Sequence, residues 1–272
     1  MPPAFSLSGG KSVAKRVCVF VDGENFRHSI VELFEQFNQN DYLPKEADWN
    51  KLFDYFVSLA VSGGERVRTY WYVVQYLDFF PYRFPNIDKA QDALKSVLDK
   101  GKWVREKLAT LQGEALVEEM ERLTGLLIRR ENQMRRRFEG WKNLQDYISS
   151  RWSRIEFRRA GAITYNAFTT KLQKEKAVDM KLATDLIILR DIYDVAIIVS
   201  GDQDYVPAVQ GVKDFGKIVI NVAFVARNGR LLPGGARRLN HITDDSIKIK
   251  YDDLAHYLDI PIVAATKQST QT

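Results

Sequence analysis

Apolar residues in this chain fall into two kinds of run: short unbroken blocks, and longer stretches in which they recur three or four residues apart. The first block, residues 16–21 (RVCVFV), is followed by DGEN and then by FRHSIVELFEQF, whose apolar positions are spaced for a helix. Aromatic and β-branched residues fill 67–76 (VRTYWYVVQY), which predicts a second strand, and RIEFR at 154–158 predicts a third. Further on, the pattern predicts a helix over 179–190, a strand over 194–200, a helix over 205–215 stopped by Gly216, and a strand over 217–224. Strands that alternate with helices and are apolar throughout suit a sheet covered on both faces. The expected fold class is therefore α/β, an open and mainly parallel sheet.

Between the second and third strands the spacing changes. Ile87, Ala90, Leu94, Val97, Gly101, Val104, Leu108 and Leu111 recur at heptad-like intervals. After Gly113 a similar stripe runs through Leu116, Met120, Leu123, Leu127, Met134, Phe138 and Trp141. The expectation is an antiparallel helical hairpin over residues 87–148, with arms about 35 Å long. FFPYRFPN, residues 79–86, would be its entry loop. Closing on its own heptads, such a hairpin would stand apart from the catalytic fold. The Gly/Ser-bearing start, 1–15, and the polar end, 261–272, are expected to be disordered tails flanking one domain over 16–260.

Composition narrows this little. With 45% hydrophobic residues among 272, the chain can bury a sizeable core. One cysteine, Cys18, allows no internal disulfide, and its place in an apolar strand suits a buried thiol. No apolar run is long enough to span a bilayer, and the start lacks the apolar segment of a signal peptide, so a cytoplasmic location is expected. A net charge of +5 is compatible with a polyanionic partner without demanding one.

The chemistry lies in VAIIVSGDQDYVPAV, where a buried strand is followed by Asp202 and Asp204, two carboxylates two residues apart. Open parallel sheets bind ligands outside the C-terminal ends of their strands, at the point where strand order reverses. Asp22 ends the first strand, so if the two strands are neighbours there, Asp22, Asp202 and Asp204 face one crevice. Asp179 opens the helix leading into the later strand, and joins them only if the loop before it crosses the crevice. Each of Asp22, Asp179 and Asp202 alone would also serve as a helix N-cap. Carboxylates without a histidine pair, a second cysteine or a Gly-rich phosphate loop point to Mg²⁺ or Mn²⁺. The implied chemistry is attack of a metal-activated water on a phosphodiester.

Three stretches, VFVDGENF at 19–26, KAVDMKLATDLIIL at 176–189 and VAIIVSGDQDYVPAVQGVKDFGKIVI at 195–220, resemble the NYN family of PIN-like nucleases in content and order. The resemblance implies a PIN-like fold, dependence on a divalent metal, and endonucleolytic cleavage of RNA to 5′-phosphate and 3′-hydroxyl ends. It places Asp22, Asp179, Asp202 and Asp204 on the family's acidic, metal-binding positions. Asn25 would then hold a metal-bound water or a substrate phosphate. Ser200 would orient a carboxylate or contact a phosphate.

The 87–148 segment departs from that pattern and bears on substrate or partner. Its RRENQMRRRFEGWK, residues 129–142, sets Arg129 above Arg136 and Arg130 above Arg137. These arginines could grip phosphates or simply be solvated, and Phe138 with Trp141 could stack bases, though their stripe favours core. Lys176 and Lys181 flank Asp179 and are phosphate contacts or solvated lysines. Asp185 lies about 240° round the helix from Asp179 and cannot share its face. The single histidines His28, His241 and His256 suggest no site. RNA is the expected partner. DNA is the alternative, as is a non-catalytic RNA-binding or scaffold protein with a structural metal, and the hairpin offers a surface for a protein partner or a second copy.

Overall fold

The computed structural model describes residues 14–34, 36–37, 42–173, 175, 177–232 and 237–261. Apart from residues 14, 15 and 261, the expected terminal tails lie outside these residues.

The sheet is built outward from its first strand. β1 (Arg16–Asp22) pairs in parallel with β2 (Glu65–Phe80), which pairs in parallel with β3 (Ile155–Asn166). The two-residue β4 (Lys171–Leu172) turns back antiparallel on β3. The chain then returns to the other side of β1, where β5 (Val195–Val199) pairs in parallel with it, followed by β6 (Ile218–Val225). The short β7 (Leu231–Leu232) is antiparallel to β6, and β8 (Asp245–Lys250) pairs in parallel with β6. Strand order therefore reverses between β1 and β5.

Both faces are covered, which is why the central strands are apolar without alternation. Val17, Val19 and Val21 of β1 point into one core with α1 (Gly23–Leu33), α2 (Trp49–Ala60) and α9 (Tyr251–Tyr257). Cys18 and Phe20 point into the other, with α6 (Val178–Ile188), α7 (Val206–Asp214) and α8 (Arg237–Ile242). Gly216 adopts the left-handed φ of 77° that stops the chain beyond α7 and sends it into β6. The α2 helix, β8 and α9 complete the fold without having been singled out by the apolar pattern.

The 87–148 segment takes a form other than two matched arms. Its first half is two short helices, α3 (Gln91–Leu98) and α4 (Lys102–Leu108), and its second is the 39-residue α5 (Gly113–Arg151), about 58 Å long. Their stripes do close on each other through Leu94, Leu98, Val104, Leu108, Met120, Leu123 and Leu127. The same cluster takes in Val74, Leu77, Phe79 and Phe80 of β2 and Tyr165 of β3, so these helices roof the extended part of the sheet. At its far end α5 delivers Ile148 and the following Trp152 into the core beneath β1. The physical reason lies in β2 and β3, which run well past the lengths their apolar runs suggested and present an apolar face that the helices cover.

Candidate functional site

Asp22 is the last residue of β1 and the N-cap of α1, its Oδ1 accepting from the Asn25 backbone N–H at 3.1 Å. The turn is tight because a Cβ at Gly23 would come within 2.4 Å of the Tyr72 carbonyl oxygen. Asp22 is fully buried. Its Oδ2 accepts from Asn25 Nδ2 at 2.6 Å and from Ser200 Oγ at 2.8 Å, and lies 3.1 Å from the Tyr205 hydroxyl. Every one of these donors is neutral. Burial therefore pushes the Asp22 carboxyl up to about 6, with the hydrogen bonds from Asn25 and Ser200 opposing the rise and the nearby Asp179 adding to it.

The β5–α7 turn supplies the next groups. Ser200 Oγ accepts from the Asp202 N–H at 3.0 Å, and Asp202 Oδ1 accepts from the Asp204 N–H at 2.9 Å, capping a single 3₁₀ turn over Gln203–Tyr205. The cap that the spacing suggested is thus real, and it holds Asp202 beside the crevice. Tyr205 is buried, with its hydroxyl 2.9 Å from Asp179 Oδ1 in the first turn of α6. Burial and the two carboxylates push the Tyr205 phenol far above its ordinary range, so it remains a proton donor.

Five carboxylates meet here. Ligand oxygens of Asp22, Glu175 and Asp179 lie within 4.8 Å of one another, and so do those of Asp179, Asp202 and Asp204. Asp179 belongs to both groups. An all-oxygen donor set around a buried carboxylate with only neutral donors fits a hard divalent cation. Glu175 is absent from the sequence-based set. It stands four residues before Asp179 in KEKAVD, between β4 and α6.

Asn25, Glu175, Asp179 and Asp202 of this group line a cleft of about 570 Å³. Glu24 and His28 of α1 also line it. Burial alone would raise Glu24, but the hydrogen bonds from His28 and Arg27 outweigh it and hold the carboxyl at about 2. From α5, Met134, Arg137 and Trp141 line the same cleft.

The other expected residues separate. Arg137 lines the cleft, whereas Arg130 donates to the Ala167 carbonyl at 3.0 Å and lies over the Trp103 ring, fastening α5 to the β3–β4 turn. Arg129 and Arg136 are exposed. Phe138 is buried, and Trp141 stacks on Tyr42 at 5.2 Å, so both belong to packing. Lys181 Nζ pairs with Asp185 at 2.8 Å, and Asp185 also accepts from Arg158 and Tyr72. Lys176 lies outside the described residues. Among the described residues no helix is long and apolar enough to cross a membrane.

No curated protein matches the chain. Among solved structures it is similar to a protein of unknown function, VPA0982 from Vibrio parahaemolyticus RIMD 2210633, at 13% identity and a TM-score of 0.40, over 88% of this chain and 96% of that one. The family model of the NYN domain matches residues 86–232, which include Glu175, Asp179, Asp202 and Asp204, while Asp22 and Asn25 join them through the pairing of β1 with β5. With more than half of its 272 residues matched, the chain belongs to the NYN domain family, a family of PIN-like α/β nuclease fold.

Proposed function

We propose that this protein is an endoribonuclease that hydrolyses RNA phosphodiester bonds with Mg²⁺ or Mn²⁺ held by Asp22, Glu175, Asp179, Asp202 and Asp204. The observation that carries this reading is the convergence of those carboxylates, from β1, the loop before α6, α6 itself and the β5–α7 turn, with Glu175, Asp179 and Asp202 lining one cleft. A divalent cation supplies charge neutralisation at the phosphate and a more acidic water.

The chain's own groups do the rest. Asn25 and Ser200 fix the orientation of Asp22 through its Oδ2, so they are positioning residues. Ser200 also sets the backbone from which Asp202 projects. The Tyr205 hydroxyl lies within hydrogen-bond reach of both Asp22 and Asp179 and, having a single proton, donates to one of them at a time. Arg137, which lines the same cleft, offers a planar cation for a phosphate.

Incubating the purified protein with RNA and DNA, single-stranded and duplex, with Mn²⁺ and with chelator, tests the reading. RNA should be cut internally with Mn²⁺ and left intact in chelator. Undiminished cleavage in chelator would sink the metal chemistry, and absence of RNA cleavage would sink the ribonuclease reading. Preferential cutting of DNA would change the substrate.

A further inference from the structure

Besides the carboxylates the cleft is lined by groups most of which no step above uses. We propose that these groups form a nucleoside subsite, which takes the base and ribose of one unpaired nucleotide adjoining the scissile phosphate. The inference rests on the ribonuclease reading for the location of that phosphate.

Besides the carboxylates the lining includes Met134 and Leu172, which are apolar, and Tyr165, which presents an aromatic ring, together with Arg137, Lys171 and Gln173. Apolar walls with a few convergent polar groups, in a volume of about 570 Å³, suit a ligand of nucleotide size. The amide of Gln173 both donates and accepts, as recognition of a base edge requires, and the two cations suit the flanking phosphates.

The walls are fixed in advance. Met134 is buried in the core beneath α5, and Trp141 is stacked on Tyr42 with the Arg27 guanidinium 5.8 Å from its ring centre. Arg159 ties α5 to β3 through Gln145 at 3.0 Å, and Arg130 ties it to the β3–β4 turn. A preformed wall spares the ordering cost of binding. A paired base would have to be flipped out before it could enter such a concavity. The subsite is contributed by α5, β3, β4 and the loop after it, so it belongs to the helical segment that sets this chain apart from compact nucleases of the fold.

An abasic scan tests this. A single-stranded fluorescein-labelled RNA of ten uridines is prepared with one abasic residue at each position in turn. Cleavage is followed under single-turnover conditions in Mn²⁺, and binding by anisotropy with Ca²⁺ in its place. One position, next to the cut, should lose about tenfold or more in both, the scale of one base's contacts. Leu172→Glu should reproduce that loss on intact RNA and abolish the sensitivity to the abasic residue. RNA that is cut with equal tolerance at every position would overturn the subsite and leave the ribonuclease reading standing. One sensitive position in binding with no cleavage would keep the subsite and overturn ribonuclease activity. No binding and no cleavage would overturn both. The scan on wild-type protein decides even if the Leu172 variant fails to fold.

Discussion

The phenolic oxygen of Tyr205 stands 2.9 Å from Asp179 Oδ1, and the same oxygen is 3.1 Å from Asp22 Oδ2. One buried hydroxyl thus lies between two carboxylates brought from separate helix starts. Its proton is shared between groups that would otherwise face each other unscreened.

Tyr205→Phe removes that donor with little change of shape. In chelator the variant should lose about 1–3 kcal/mol of stability, the cost of leaving a buried acceptor short of a partner. Urea denaturation measures it. In Mn²⁺ the difference from wild type should narrow, because the cation takes over the screening.

Asp179 contributes to both groups of ligand oxygens, so Asp179→Asn should impair metal binding more than loss of a single shared contact would. Wild type should gain about 2.7 kcal/mol at a Mn²⁺ concentration a hundredfold above Kd. The variant should lose most of that gain and all cleavage while keeping its circular dichroism spectrum. Thermal melts in chelator and in Mn²⁺ check this, and a wild-type melt indifferent to Mn²⁺ would leave Asp22 and Asp202 as ordinary caps and Asp179 as a partner of Tyr205.

Asp185, on the same helix, should behave differently. It is buried, and burial by itself would raise its carboxyl; the hydrogen bonds from Lys181 and Arg158 more than offset this and hold it below the ordinary carboxylate value. Its stabilising contribution is then complete above about pH 4, where the unfolded carboxyl is ionised, and is lost as pH falls through the lower folded value. Asp185→Ala should cost about 3 kcal/mol at pH 7, by leaving Arg158 partly buried and short of its partner. Denaturation curves at pH 7 and at pH 3 should show the gap closing at the lower pH, and the Mn²⁺ response should survive.

Replacing residues 87–148 by a Gly/Ser linker should not leave a well-behaved core. The deletion would uncover the apolar face of β2 and β3, including Leu77, Phe79, Phe80 and Tyr165, and remove Ile148 from beneath β1. Aggregation, or loss of near-UV circular dichroism and a broadened size-exclusion peak, is the expected result. A monomeric product that still responds to Mn²⁺ would show instead that the segment is dispensable to the fold.

What the sequence determined by itself was local. Strands buried on both faces must be apolar at successive positions, so β1, β5 and β6 were legible as blocks, and carboxylates that cap the helices following them were legible as Asp22 and Asp202. The likeness to the NYN family could be read from the same stretches. Only the tertiary structure decided the rest. Glu175 meets Asp22 and Asp179 from the segment between β4 and α6, and nothing in the spacing of KEKAVD dictates that meeting. Arg137 faces the cleft while Arg130 fastens a turn, although both sit on one stripe of one helix, because what a helix face meets changes along a length of about 58 Å. Lys181 flanks Asp179 in sequence yet pairs with Asp185, one helical turn on, at 2.8 Å. Side-chain direction within an element follows from its period, whereas the partner each side chain meets follows from how distant elements stack, and that is fixed only when the sheet closes around β1.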